Sequence, residues 1–295
     1  MRGVLRLRAC AKLNLALRVG PAGADGFHPI ATVFQTVSLC DLLYARPAAR
    51  GETAIEVHGA ALPGDNTVRR AVDLLDEEAR RQGGEPTPLH LRLVKRIPLG
   101  AGLGGGSSDA VAALAACIRL WRLDRRRLHE SDSLQRLAEQ IGSDVPFFLH
   151  GGTALGTGRG TRINPLAPLP PTWLVVAAPR VRVSTPAAYA AFDRRGGAQG
   201  PAPPPYAPRL DAAWMGNDLA EVVAELHPEV ETTRRRLAEL GAEPAQMTGS
   251  GAASFGAFED RHAAARATLR LRNDGLWAVP VTTITARQHQ RGSWG

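Results

Sequence analysis

The sequence predicts an α+β protein of two domains, and three observations carry that prediction. The chain has 295 residues, long for one hydrophobic core and comfortable for two. Apolar residues recur with period two in some stretches and near 3.6 in others, interleaved without regular β-α alternation, which disfavours a doubly wound sheet. Glycine and proline punctuate 142–171 before a new buried strand, and a boundary is expected near 160–170. The expected division is 1–165, 166–287 and a frayed tail, 288–295.

The elements follow in order. Lys12, Asn14, Ala16 and Arg18 alternate with Leu13, Leu15, Leu17 and Val19, so a strand puts Lys12 and Asn14 on one face. Residues 20–29 are a glycine-rich turn, and Val33 to Leu43 resumes an extended pattern. Asn66 precedes a helix carrying Val68, Ala71, Val72 and Leu75. Leu89, Leu91, Leu93 and Ile97 alternate with His90, Arg92 and Lys95 as a strand; Val111, Leu114, Ile118 and Trp121 then recur at helical spacing. Ser133 precedes another helix, with Leu134, Leu137, Ala138 and Ile141. Trp173 to Ala178 reads as a buried strand. The glycine- and proline-rich stretch 194–210 lacks periodicity and is expected to be a mobile surface loop. Helices are expected at 218–226, 229–240 and 260–272, a tight turn at 249–251, and a last strand at 276–285. Gln288 to Gly295 is expected to fray.

Net charge is +8, almost all of the cations being arginine; Lys12 and Lys95 are the two lysines. A positive field favours polyanionic ligands. The arginines are dispersed, and the clusters 125–127 and 234–236 fall at helices, where a solvated face is the ordinary reading, so nucleic acid is not the expected partner. No apolar run approaches a membrane span and the N-terminus lacks a signal-peptide stretch, so a cytoplasmic enzyme is expected. Cys10, Cys40 and Cys117 have no metal-like spacing and read as reduced, buried thiols.

The most informative segment is Pro98-Leu99-Gly100-Ala101-Gly102-Leu103-Gly104-Gly105-Gly106-Ser107-Ser108-Asp109, between a strand and a helix. Glycines let the backbone approach a ligand and turn its N–H groups inward, and a helix N-terminus adds unpaired N–H groups and the positive dipole end. Together they suit a phosphate. Ser107 or Ser108 also reads as a helix N-cap. No Gly-Lys-Ser/Thr follows, so this is not a Walker A loop. The bare G-x-G-x-x-G spacing of Gly100, Gly102 and Gly105 lacks the buried strand and the acidic residue of a dinucleotide fold.

The loop resembles the phosphate loop of the GHMP small-molecule kinases, the superfamily of galactokinase, homoserine kinase and mevalonate kinase. Its extra Gly-Gly before Ser107 resembles the branch acting on a cytidyl substrate. The resemblance implies ATP bound by residues 98–108, with Mg²⁺ expected on the phosphates. It implies an N-terminal domain like ribosomal protein S5 domain 2 and a ferredoxin-like C-terminal domain, with both ligands in the cleft between them. Ala11-Lys12-Leu13-Asn14-Leu15 resembles the segment carrying the family's catalytic lysine, and Gly142-Ser143-Asp144-Val145-Pro146-Phe147 the one carrying its catalytic aspartate. By resemblance Asp144 takes the proton of the attacking hydroxyl and Lys12 orients the pair. Without it, Lys12 reads as an exposed lysine on an edge strand and Asp144 as a turn cap.

Asp25-Gly26-Phe27-His28 resembles a segment that holds cytosine, with His28 on the base edge and Phe27, where the family has Tyr, stacking on the ring. Ser184-Thr185-Pro186-x-x-Tyr189 resembles the segment with the second aromatic; Thr185 and Asn14 complete the expected substrate contacts. Tyr189 reads equally well as a half-buried helix residue. Met247 to Gly256 resembles a glycine loop that packs near the phosphate loop, and Gly216-Asn217-Asp218-Leu219 a structural segment. The implied activity is ATP-dependent phosphorylation of the 2-hydroxyl of a polyol carried on a cytidyl diphosphate, in isoprenoid precursor synthesis by the non-mevalonate route. The expected partner is that small molecule, with no membrane, and an oligomeric state between monomer and weak dimer. Another kinase of the superfamily and a non-enzymatic RNA-binding protein are the rival readings.

Overall fold

The computed structural model describes residues 3–62, 66–196 and 202–294. Its first sheet is built on a long antiparallel pair, β1 (Leu5–Val19) and β2 (Ile30–Pro47). β3 (Ala54–His58) and β4 (Leu89–Val94) extend it past β2, and β5 (Thr153–Gly158) and β6 (Arg162–Pro165) pair on at the far end of β2. Helices α1 (Thr67–Arg81), α2 (Gly105–Leu120), α3 (Arg125–Glu130), α4 (Ser133–Ile141) and α5 (Val145–His150) close a core against it through Leu7, Leu43, Leu91, Leu114 and Phe147. Asn66 caps α1, its side chain accepting from Val68 and Arg69. α2 is buried from Ser108 to Ile118 rather than on one stripe.

The two sheets part between β6 and β7 (Trp173–Ala178). After β7 come α6 (Thr185–Arg194), the two-residue β8 (Gly216–Asn217), α7 (Ala220–Leu226), α8 (Pro228–Glu239), β9 (Ala245–Met247), β10 (Ser254–Phe258), α9 (Arg261–Asn273) and β11 (Trp277–Thr282). The second sheet has the order β11-β7-β10-β9, all antiparallel, which is the ferredoxin-like arrangement. One face packs on α8 and α9 through Val175, Ala177, Leu237 and Leu271. The other packs Leu174, Val176 and Phe255 against Leu13 and Leu15 of β1, so a single core joins the two halves. β8 returns to the first sheet, parallel to β1.

A β-bulge in the β1–β2 pairing positions the site. Register shifts between Cys10 and Lys12 and again between Asn14 and Ala16. Before the first shift Leu7 and Ala9 face the first core and Arg6 and Arg8 face solvent; after it Ala11, Leu13 and Leu15 face the second core. Between the pairs Cys10–Cys40 and Lys12–Thr36, Ala11 of β1 lies opposite Val37, Ser38 and Leu39 of β2, and the strand exchanges its faces there. Lys12 therefore turns inward, its Nζ 5.5 Å from the Phe34 ring centroid, where an unbulged strand would leave it beside Arg8 in solvent.

Three expectations are corrected. Residues 288–294 do not fray: α10 (Ala286–Ser293) begins with a capping box of Thr285 and Gln288, buries His289 and ends at buried Trp294, which lies under Arg125. Its polar spacing concealed a helix that packs on β1 rather than on its own neighbours. Cys10 and Cys40 are not free thiols; they oppose each other across β1 and β2 and form a disulfide, while Cys117 stays reduced and buried. Of the 194–210 stretch, 197–201 lies outside the described residues, as does Gly295 of the tail; 202–210 is docked, with the Tyr206 hydroxyl donating to Ala167 O (2.6 Å) and its ring edge-on to Trp214.

Candidate active site

Lys12 and Asp144 meet at the bottom of a cleft of about 700 Å³ between the two halves. Lys12 Nζ lies 3.4 Å from Asp144 Oδ2; the lysine is 4% exposed and the aspartate side chain 34%. A second partner fixes the ammonium: Nζ donates to Asn14 Oδ1 (2.5 Å), Asn14 Nδ2 donates to Thr32 Oγ1 (2.7 Å), and Thr32 donates to Ala16 O (2.7 Å). Asp144 sits at the N-terminus of α5, yet its side chain makes no capping bond, and its carboxylate lines the cleft. The edge-strand and turn-cap readings of this pair are thereby displaced.

The phosphate loop crosses the same floor. Lys12 N–H donates to Leu103 O (3.0 Å), tying the loop to the lysine's own backbone. Gly100, Gly102 and Gly104 adopt positive φ. At Gly104 (φ +67°) a Cβ would stand 3.0 Å from the Phe148 ring and from Lys12 Cγ, and at Gly102 it would meet Thr248 O at 2.6 Å. Glycine is required for both reasons. The N-cap of α2 is Gly104 and makes no side-chain bond, so neither Ser107 nor Ser108 caps the helix. Ser107 lines the cleft within the first turn; Ser108 is buried and lines no cavity of the site. Ala101 and Leu103 turn into the second core, anchoring the loop. The loop's far side, with Pro98, Leu99, Gly105, Gly106, Thr67 and Lys95, borders a smaller cavity of about 220 Å³. The first N–H groups of α2 are thus left for an anion.

The loop at 247–256 packs on the phosphate loop as expected. Ala253 N–H donates to Ala101 O (3.2 Å), and Thr248 Oγ1 accepts from Asn14 N–H (2.8 Å). Asn217 Nδ2 donates to Gly249 O (2.8 Å), which gives the 216–219 segment its structural task.

At the other end of the cleft the structure gathers Phe27, His28, Thr185 and Tyr189. The His28 and Tyr189 rings lie 4.8 Å apart, and Phe27 is 52% exposed at the rim. Burial, with the nearby Asp144 charge adding to it, pushes the Tyr189 phenol up to about 12, so it stays a neutral donor. Thr185 Oγ1 and Ser250 Oγ lie 2.7 Å apart, bridging α6 to the C-terminal loop.

Three contributions escaped the sequence reading. Asp193 holds His28 Nε2 at 2.7 Å; Thr185, Tyr189 and Asp193 recur every four residues on α6, a signal that was there to read. Arg159 stacks 3.9 Å from the Phe27 ring centroid and pairs with Asp25, whose other oxygen accepts from Phe27 N–H; nothing in Gly158-Arg159-Gly160 announces this. Beneath Gly105, buried Lys95 bridges Asp41 and Asp109 (2.6 Å to the latter); burial pushes the Asp109 carboxyl up to about 8, with Lys95 pulling the other way, and Asp109 Oδ1 has no partner among the described residues.

Among the described residues no cluster of three or more His, Cys, Asp or Glu is placed to hold a metal ion. No helix there is long and apolar enough to cross a membrane.

Comparison with known proteins finds relatives along nearly the whole chain. The family model for the GHMP kinases N terminal domain matches residues 66–152, and that for GHMP kinases C terminal matches 208–275. The chain is 40% identical over 98% of its length to 4-diphosphocytidyl-2-C-methyl-D-erythritol kinase of Solibacter usitatus, covering 91% of that protein. It is 41% identical to the kinase of the same name from Pelotomaculum thermopropionicum, over 96% of this chain and 99% of that one. A crystal structure of 4-(cytidine 5'-diphospho)-2C-methyl-D-erythritol kinase superposes with TM-score 0.80 at 36% identity, over 95% of this chain and 99% of that one. Homoserine kinase from Cytophaga hutchinsonii (TM-score 0.62, 17% identity, 97% and 96% covered) shares the fold.

Proposed function

The chain belongs to the GHMP kinases, and from that membership we propose how the residues of its cleft divide the work. The reaction is ATP-dependent phosphorylation of the 2-hydroxyl of 4-diphosphocytidyl-2-C-methyl-D-erythritol, giving the 2-phosphate and ADP. The observation that carries the division of labour is the Lys12–Asp144 contact beside the N-terminus of α2.

Phosphoryl transfer needs positioning and charge neutralisation more than covalent help. Asp144, uncapped and open to the cleft, accepts the proton of the attacking hydroxyl. Lys12 holds Asp144 in place and offsets negative charge on the transferring group; Asn14, tethered to Thr32, fixes the ammonium. The N–H groups of residues 100–108 and the α2 dipole cradle the ATP phosphates. Bound Mg²⁺ would neutralise charge on those phosphates, and Ser107 and Asp144, which line the cleft beside the loop, are the residues that would hold it. At the other end His28, held by Asp193, reads the cytosine edge; Phe27 and Tyr189 supply ring faces, and Thr185 a hydroxyl. The division at residues 165 and 166 leaves the nucleotide loop in one half and α6 in the other. A cytoplasmic location is inferred from the supply of ATP.

A coupled ADP-release assay across cytidyl and non-cytidyl alcohols tests the reading. Turnover confined to the cytidyl substrate supports it; equal or faster turnover of homoserine or mevalonate contradicts it.

A further inference from the structure

We propose that a pit ringed by Arg6, Arg8, Arg96 and Arg291, on the face of β1 opposite the cleft, binds a small anion carrying two phosphate groups. The pit encloses about 450 Å³ and is formed by β1, β2, the residue after Lys95 and α10. It is a product of the same bulge that turns Lys12 inward: residues before it keep their even-numbered side chains on the outer face.

What sets these arginines apart is that four of them line one concavity with no carboxylate among its lining residues. Elsewhere on the surface Arg80, Arg126, Arg195, Arg234 and Arg236 each bridge to a carboxylate. Among the described residues none of the four in the pit makes an ion pair, and no carboxylate lines it. Asp41, next to Cys40 of the pit, is fully buried and already taken by Lys95 and by the N–H groups of Arg96 and Ile97. Arg8 is held from behind, its carbonyl accepting from Ser293 Oγ of α10 (2.9 Å). Four like charges around one concavity repel one another, and a multivalent anion relieves that repulsion. Guanidinium groups engage phosphate oxygens in pairs of parallel N–H bonds, so four of them match two phosphate groups. The walls of α10 and β2 favour a compact ligand over an extended strand of nucleic acid.

Inorganic diphosphate is the probe, titrated calorimetrically without magnesium into the full chain saturated with ATP, so that the phosphate loop is occupied. One further site is expected, weakened by added salt, preferring diphosphate to inorganic phosphate, and at least tenfold weaker in Arg6→Gln/Arg291→Gln, whose kcat and KM for ATP stay at wild-type values. Should that variant not fold, Arg96→Gln, which keeps its backbone bond to Asp41, is expected to show the same loss. No binding beyond ATP, or equal affinity in a folded variant, overturns the proposal. Tighter binding of a single-stranded RNA oligomer, lost in the same variant, overturns it in favour of a nucleic-acid surface.

Discussion

Lys12 Nζ stands between Asn14 Oδ1 at 2.5 Å and Asp144 Oδ2 at 3.4 Å, so one neutral and one charged acceptor share a single buried ammonium. Replacing Lys12 by Met removes that charge and the donor that offsets developing negative charge. Loss of one such donor typically costs on the order of 10²–10³ in kcat. The fall is expected in kcat, with KM for ATP little changed, because phosphate binding is expected of the loop's backbone N–H groups. A Lys12→Met enzyme within threefold of wild-type kcat contradicts this role.

Gly104 and Gly100 both have positive φ, but they differ in surroundings. A Cβ at Gly104 meets Phe148 and Lys12 at 3.0 Å, whereas at Gly100 no atom of the described residues beyond its chain neighbours lies within 4 Å. Gly104→Val is therefore expected to weaken ATP binding strongly, and Gly100→Ala only mildly, through backbone strain alone. Titration of ATP into both folded variants checks the order; equal effects would show that close packing under the loop does not matter.

Base selectivity is expected to reside in His28 and its holder Asp193. A ring face stacks on any base at roughly 1–3 kcal/mol per base, so Tyr189→Ala should weaken substrate binding without changing preference. His28→Ala and Asp193→Ala should narrow the ratio of kcat/KM for the cytidyl substrate over a uridyl analogue. An unchanged ratio in both variants locates base reading elsewhere.

The C-terminal helix gives the fold an acid limit. His289 Nε2 donates to Phe148 O, and burial holds its imidazole below the usual histidine range. Its stability contribution is complete above the unfolded value of about 6.5 and is lost as pH falls below it, because the unfolded chain then binds the extra proton. His150, also depressed by burial, acts in the same direction. Between pH 7 and 5.5, Tm should fall less in His289→Gln, which keeps a donor for Phe148 O without titrating. Parallel falls in the two proteins refute the assignment to His289.

Residues with local signatures were legible in the sequence. The glycines of 100–106, the period-two pattern of β4, the apolar run of β7 and the Asn66 cap all depend on neighbours along the chain. Lys12, Asp144, His28 and Tyr189 were singled out by resemblance, and spacing alone left a bland reading for Lys12, Asp144 and Tyr189. What stayed hidden depends on distant partners. The bulge at Cys10–Lys12 has no glycine to mark it, and it decides which face Lys12 takes. α10 is polar along most of its length and finds its place only against β1 and Phe148. α5, β5 and β6 lie in a stretch that glycine and proline made to look irregular. Arg159 reaches Phe27 across a gap no periodicity spans.

The most direct test of the central claim is single-turnover phosphoryl transfer by Asp144→Asn, with ATP and cytidyl-substrate affinities measured on the same protein. Asparagine keeps the shape and a hydrogen bond but takes no proton. The account predicts a transfer rate lower by about 10²–10⁴, the usual range for loss of a general base, with both affinities within a few-fold of wild type. Near-normal transfer by the folded Asp144→Asn enzyme would contradict it.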